Sequence, residues 1–224
     1  MGIGEFEGKR KMNFENIKIL GGVGAILMFI GFIPYTYGLL ELVGAILVIV
    51  AMKGFADYYK EAGIFNNTLY AIVLGIVGAI AFAAIAFLAL FDFLNNIGIS
   101  VNINNYSNLA SQISNIDWTT QMNSAVKFAG FIFLDLVVLF VFLLVMALLL
   151  RKSLKLMSMK TNIGLFTTTG TVLLIGAVLT IIGIGLILVW ISALLLAIAF
   201  FQIKTPPPAA AYSPPPVQTN PSMA

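Results

Sequence analysis

Residues 69–91 read LYAIVLGIVGAIAFAAIAFLALF and contain no charged side chain. A helix rises about 1.5 Å per residue, so this stretch covers about 34 Å and is long enough to cross a hydrocarbon layer about 30 Å thick. Five other apolar runs flank it, and we expect six membrane-spanning helices in all. Their predicted bounds are 19–33, 38–52, 69–91, 126–150, 163–182 and 185–203. The predicted fold class is all-α, a polytopic helical membrane bundle with short hairpins at both ends.

The composition supports this class. Of the 224 residues, 60% are hydrophobic and 9% are charged, whereas a soluble domain averages about 45–50% apolar and about 25% charged residues. So few charges cannot cover the surface of a soluble globule, which excludes that class. Cysteine and histidine are both absent, which excludes disulfides, thiolate or imidazole metal sites, and Ser-His or Cys-His nucleophile pairs. We therefore expect no enzyme, no cofactor and no metal site.

The two hairpins are predicted from turn residues between short apolar runs. Residues 34–38 read PYTYG and join the first two runs, and Gly183 and Gly185 mark a turn within the long apolar stretch that begins at 163. The run 19–33 has only fifteen residues, fewer than the roughly twenty that a membrane crossing needs. A re-entrant hairpin over 19–52 is therefore the alternative, and it leaves the sidedness of everything downstream unchanged.

Orientation follows from the basic residues. With six spans, residues 1–18, the connectors 53–68 and 151–162, and the tail from 204 share one side of the membrane. These segments hold eleven of the twelve Lys and Arg residues, and only Lys127 lies on the other side. Because cytoplasmic loops carry an excess of positive charge, both termini are predicted to be cytoplasmic in a multi-pass cell-membrane protein. The positive charges are spread over four short segments, so we expect no nucleic-acid partner.

Three segments lie outside the predicted spans. Residues 1–18 form a polar cytoplasmic segment, and residues 204–224 form a Pro-rich tail that is expected to be disordered. The outer loop 92–125 carries eight asparagines, and an amphipathic helix is predicted near Leu109 and Ile113. This loop is interpreted as a passive cap over the bundle, with a ligand-binding lid as the alternative. Asn105 begins an Asn-Tyr-Ser glycosylation sequon on the outer side.

Small side chains recur along the third span at helical spacing. Because lipid supplies no hydrophobic force between helices, flat faces of Gly and Ala favour close helix contact. The predicted packing residues are Ala71, Gly75, Gly78, Ala79 and Ala83. Two interpretations stay open: packing within the chain, and an oligomer or sliding surface.

Two carboxylates lie within the predicted spans: Glu41 near the outer start of the second, and Asp135 nine positions into the fourth. Intramembrane carboxylates are costly and are therefore candidate functional residues. Thr180 and Ser192 fall in the same outer half as Asp135 and are candidate partners for it. The four residues together are a candidate proton or cation path. Interfacial placement is the alternative for Glu41, and structural hydrogen bonding is the alternative for Asp135.

Several stretches resemble a known family. They are 20–27 (LGGVGAIL), 44–47 (GAIL), 56–59 (ADYY), 64–67 (IFNN), and the final hairpin from 165–166 (LF) to 199–201 (AFF). Over about residues 18–203 the chain resembles an uncharacterised, mainly archaeal family of small multi-pass membrane proteins, classified as a domain of unknown function. The resemblance implies a multi-pass topology and an archaeal host, and it implies no catalytic residue.

The leading functional hypothesis is a structural or accessory membrane protein. Its predicted partners are the lipid bilayer and either a second copy of the chain or another membrane protein. The alternative hypothesis is a small transporter or channel component in which Asp135 handles a proton or cation.

Overall fold

The computed structural model describes residues 13–31, 38–99, 107–114, 116–117 and 119–204, and every regular element in these ranges is helical. Five helices are long and apolar enough to cross a membrane, and α7 is a shorter apolar helix. The fold is therefore a helical membrane bundle, as predicted. The helices are α1 (Phe14–Gly31), α2 (Leu39–Tyr59), α3 (Ala62–Asn96), α4 (Ser107–Ser114), α5 (Met122–Thr161), α6 (Gly164–Leu179, continued by a 3-10 turn over Thr180–Ile182) and α7 (Gly185–Phe201).

Six of the described helices, all but α4, form a closed ring. Each packs on two neighbours in the order α1, α2, α3, α5, α6 and α7, and α7 returns to contact α1. The starts of α1, α3 and α6 and the ends of α2, α5 and α7 meet at one end of this ring. That end carries Lys53, Arg151 and Lys152, and we name it the basic end.

Two short turns close the basic end. Lys60 and Asn162 follow α2 and α5 with positive φ values of 52° and 59°, and each reverses the chain within two residues. Lys160 Nζ lies 3.2 Å from Glu61 Oε2 and joins the two turns. Most of the predicted connectors 53–68 and 151–162 is helical, and the chain leaves the helices only at 60–61 and 162–163. Ile64, Leu154 and Met157 are buried at helical spacing, and this packing extends α3 and α5 past their apolar runs.

The main hydrophobic core lies toward the basic end. Phe55, Phe166 and Phe200 are fully buried there. The Phe200 ring centroid lies 5.9 Å from that of Phe55 and 5.3 Å from that of Phe166, in stacked and edge-to-face arrangements. These three rings come from α2, α6 and α7, so the core ties the first hairpin to the last.

Glycines allow the helices of each hairpin to approach closely. A Cβ on Gly24 of α1 would lie 2.8 Å from the carbonyl oxygen of Gly44 on α2, so these backbones are nearly in contact. Gly176 and Gly185 make the equivalent contact between α6 and α7. Gly183 has a φ of 81°, a conformation that favours glycine, which confirms the predicted turn between α6 and α7.

The helices of the ring differ strongly in length. α3 has 35 residues and α5 has 40, about 52 Å and 60 Å, whereas α1 has 18 and α7 has 17, about 27 Å and 26 Å. Gly170 of α6 lies against Arg151 of α5, and α6 with its 3-10 turn continues for only twelve residues more. The tip of the α6–α7 hairpin is therefore level with about position 139 of α5.

Beyond that level α3 and α5 continue as a separate pair. We name this pair, residues 82–96 of α3 and 122–138 of α5, the outer arm. In the most apolar 18-residue stretch of α3 and of α5, only 11% of the residues are buried. The corresponding stretches of α1, α2 and α6 are 33–39% buried. The exposed residues of the outer arm are mainly large and apolar, and they include Phe87, Leu88, Phe91, Val126, Phe133 and Leu134.

Candidate functional site

Asp135 is buried in the outer arm. Its side chain lies on α5 and is only 1% exposed. Three contacts between α3 and α5 fix the register around it: Gly75 meets Met146, Gly78 meets Phe142, and the rings of Phe93 and Phe128 stack 4.8 Å apart. This register places Asp135 level with Ile85 and Ala86 of α3.

Neither carboxyl oxygen of Asp135 has a hydrogen-bond partner among the residues that the structure describes. The neighbouring positions on the same face of α5 are Phe128, Ile132, Leu139 and Phe142, and all four are apolar. Lipid-facing helices seldom bury a polar group without satisfying it. Asp135 is therefore the outstanding chemical feature of the described structure.

The other three residues of the predicted path are not partners of Asp135. Thr180 Oγ1 donates to the Gly176 carbonyl at 2.9 Å, and Ser192 Oγ donates to the Val189 carbonyl at 2.5 Å. Both hydroxyls are satisfied within their own helical hairpin, as Ser and Thr often are in helices. Glu41 is exposed in the first turn of α2, a helix that is not adjacent to α5 in the ring.

The predicted packing residues divide into two groups. Ala71, Gly75 and Gly78 face α5, where Gly75 and Gly78 leave room for Met146 and Phe142. This agrees with packing inside the chain for these three residues. Ala79 and Ala83 are exposed on the outside of α3.

A buried hydroxyl pair joins α3 and α5 toward the basic end, and the sequence did not reveal it. Ser153 Oγ donates to the Ile64 carbonyl at 2.6 Å, and Thr68 Oγ1 lies 2.8 Å from Ser153 Oγ. Thr68 is 1% exposed and Ser153 is fully buried. Both residues fall in segments assigned as connectors, and the signal for them was their helical spacing from Ile64 and Met157.

The far end of the outer arm is polar. Lys127 Nζ lies 3.0 Å from Asp92 Oδ2, and both side chains are about half exposed. In the turn that precedes α5, the Thr119 hydroxyl and backbone N–H donate to Asp117 Oδ1 at 2.5 Å and 3.0 Å. These two hydrogen bonds lower the pKa of the Asp117 carboxyl. The charged residues at this end mark where the apolar surface of the arm stops.

Outside the arm, the described residues contain no group of three or more acidic side chains that could hold a metal ion. Helix α4 occupies 107–114, where the amphipathic helix was predicted. Asn105 and residues 205–224 of the Pro-rich tail lie outside the described residues.

Comparison with known proteins gives the family. Residues 40–194 match the family described as "Protein of unknown function (DUF996)". The chain belongs to the DUF996 family. In this DUF996 protein the matched segment runs from the start of α2 into α7, so it contains Asp135, the Thr68–Ser153 pair and the whole of the outer arm.

The chain also resembles an uncharacterised archaeal protein. The chain is 26% identical over 195 residues to "Uncharacterized protein MJ1644" of Methanocaldococcus jannaschii, and the match covers 86% of this chain and 94% of the relative. The family resemblance predicted from the sequence is thereby confirmed. No solved structure matches this DUF996 protein.

Proposed function

We propose that this DUF996 protein is a non-enzymatic accessory membrane protein that associates with a second copy of itself through the exposed side of α3, from Ala79 to Ala83, and the outer arm that follows it. The observation that carries the proposal is the arm itself. Two helices leave the ring and continue as a pair, and large apolar side chains such as Phe87 and Phe133 are 67% and 70% exposed on it. Helices α1, α2 and α6 cover their apolar surface more fully.

The exposed small residues of α3 support contact between copies. Ala79 and Ala83 are one helical turn apart on the outside of α3, beside Ile76 and Ile80. In lipid such small-residue pairs let two backbones approach closely, and van der Waals packing then supplies the association energy. A twofold axis beside Ala83 would bring the same residue of both copies together.

The orientation proposed for this assembly has both termini in the cytoplasm. The basic end, with Lys53, Arg151 and Lys152, then faces the cytoplasm, as the excess of positive charge there favours. The Asp92–Lys127 pair lies on the outer side.

Disulfide cross-linking tests the association. The chain has no cysteine, so A83C is the only thiol in that variant. Oxidation in native membranes is expected to give a covalent dimer with A83C and none with V178C, an exposed position on α6 that serves as the matched control. A double variant A79L/A83L is expected to reduce the native mass in nanodiscs to that of a monomer. No dimer from A83C, together with an unchanged mass for A79L/A83L, would overturn the proposal.

The buried Asp135 favours a second candidate function, a small transporter or channel component that moves a proton or a cation. Its test is flux across proteoliposomes that contain the wild type or D135N. Flux that is present in the wild type and lost in D135N would support transport. Wild-type flux no greater than that of liposomes without protein would exclude it.

A further inference from the structure

We propose that Asp135 is a proton-binding site, with a carboxyl group that is neutral in the membrane and takes no metal cation. The assignment does not depend on the association through the outer arm or on transport. It rests on the surroundings of one carboxyl group that is 1% exposed and has no hydrogen-bond partner for either oxygen among the described residues.

The first step is the number of oxygen ligands. Metal cations that bind oxygen need several ligands that converge on one point. At the level of Asp135 the facing positions of α3 are Phe82, Ile85, Ala86 and Ala89, none of which has a polar side chain. One carboxyl group alone does not replace the hydration shell of such a cation, whereas it binds a proton with no further ligand.

The second step concerns the backbone. Membrane proteins that coordinate cations with main-chain carbonyls do so where a helix is unwound or broken. Both α3 and α5 are continuous helices past this level, from Ala62 to Asn96 and from Met122 to Thr161. Their carbonyl oxygens are used in the helices themselves, so the backbone adds no ligand to the site.

The third step is the charge around the site. The nearest charged groups on the two helices of the arm are Asp92 and Lys127, which pair with each other at 3.0 Å. Lys127 is eight residues from Asp135 along α5, about 12 Å. Helix α6, which also packs on α5, has no titratable side chain between Gly164 and Ile182. No cation therefore faces the carboxyl group to hold it ionised, and the uncharged acid is the form that an apolar setting favours.

Carbodiimide labelling of the full-length protein in liposomes tests the assignment. A protonated carboxyl group gives its proton to a nitrogen of dicyclohexylcarbodiimide while its oxygen bonds to the central carbon. The acyl group then migrates to nitrogen, so the product retains the whole reagent. We expect mass spectrometry to find the adduct at Asp135 in the wild type and not in D135N, with labelling that falls as the pH rises.

Competition with salt separates a proton site from a cation site. At constant pH, sodium chloride and choline chloride are expected to give equal labelling of Asp135, and protection by sodium chloride alone would overturn the assignment. Infrared spectroscopy provides a reading that does not require the reagent to enter the arm. The carbonyl stretch of a protonated acid is expected at neutral pH in the wild type and not in D135N, and its absence from the wild type would equally overturn the proposal.

Discussion

Trp190 of α7 stacks on Phe29 of α1, with ring centroids 4.5 Å apart and planes inclined by 6°. The same indole donates its Nε1–H to the backbone carbonyl of Phe29 at 2.9 Å. Phe29 lies in the last turn of α1, where the backbone carbonyl groups have no N–H donor within the helix. One side chain thus packs against the first hairpin and caps the end of its first helix.

The two contributions of Trp190 are separable. W190F keeps an aromatic ring and loses the hydrogen bond, and we expect it to lower the free energy of unfolding by about 1 kcal/mol. W190A also loses the packing and is expected to cost about 3–5 kcal/mol. Unfolding in mixed micelles followed by circular dichroism measures both. Phe133, which is 70% exposed, provides the control F133A, and a similar loss in that variant would contradict the interpretation.

Glycine-to-alanine substitutions at Gly44 and Gly130 are expected to affect the stability of the protein differently. A Cβ on Gly44 would lie 2.5 Å from the Gly24 carbonyl oxygen, so G44A must push α1 and α2 apart and lower the melting temperature. A Cβ on Gly130 of α5 meets nothing within 4 Å. G130A is therefore expected to leave the stability unchanged or to raise it by up to about 1 kcal/mol. Equal effects of the two substitutions would show that the α1–α2 contact is not close.

The Thr68–Ser153 pair should behave as a coupled unit. S153A removes the hydroxyl that donates to the Ile64 carbonyl, and T68V removes the hydroxyl 2.8 Å from Ser153 Oγ. Each is expected to cost about 1–2 kcal/mol because the site is buried. The double variant should cost less than the two single variants together, with a coupling energy of about 1 kcal/mol in a double-mutant cycle. Strict additivity would mean that the two hydroxyls act independently.

The short hairpins should end below the outer surface of the membrane. Ile182 lies at the tip of the α6–α7 hairpin and Met122 lies at the start of α5, and the two are 62% and 63% exposed in the protein. In whole cells a membrane-impermeant thiol reagent is expected to label M122C and to leave I182C largely unlabelled. K152C, at the basic end, should react only after the membrane is opened. Equal labelling of I182C and M122C in intact cells would place the hairpin tip at the surface.

The number of apolar helices and the turn at Gly183 follow from the sequence, because apolar runs and glycine act locally. The helix ends at 59–62 and 161–164 cannot be predicted from the sequence in the same way, since they depend on the burial of Ile64 and Met157 against other helices. The structure does not bring the four residues of the candidate path together, for a related reason. Depth alone placed Thr180 and Ser192 near Asp135, whereas each hydroxyl finds a nearer acceptor in the backbone of its own hairpin.

The contact of α7 with both α1 and α6 has a consequence for biosynthesis. Chains are made from the N-terminus, so Phe55 and Phe166 are synthesised before Phe200. The aromatic core therefore gains its third ring only when the last helix leaves the insertion machinery. Until then the first hairpin is held in the bundle only through the contact of α2 with α3, and the ring closes when the final seventeen-residue helix packs between α1 and α6.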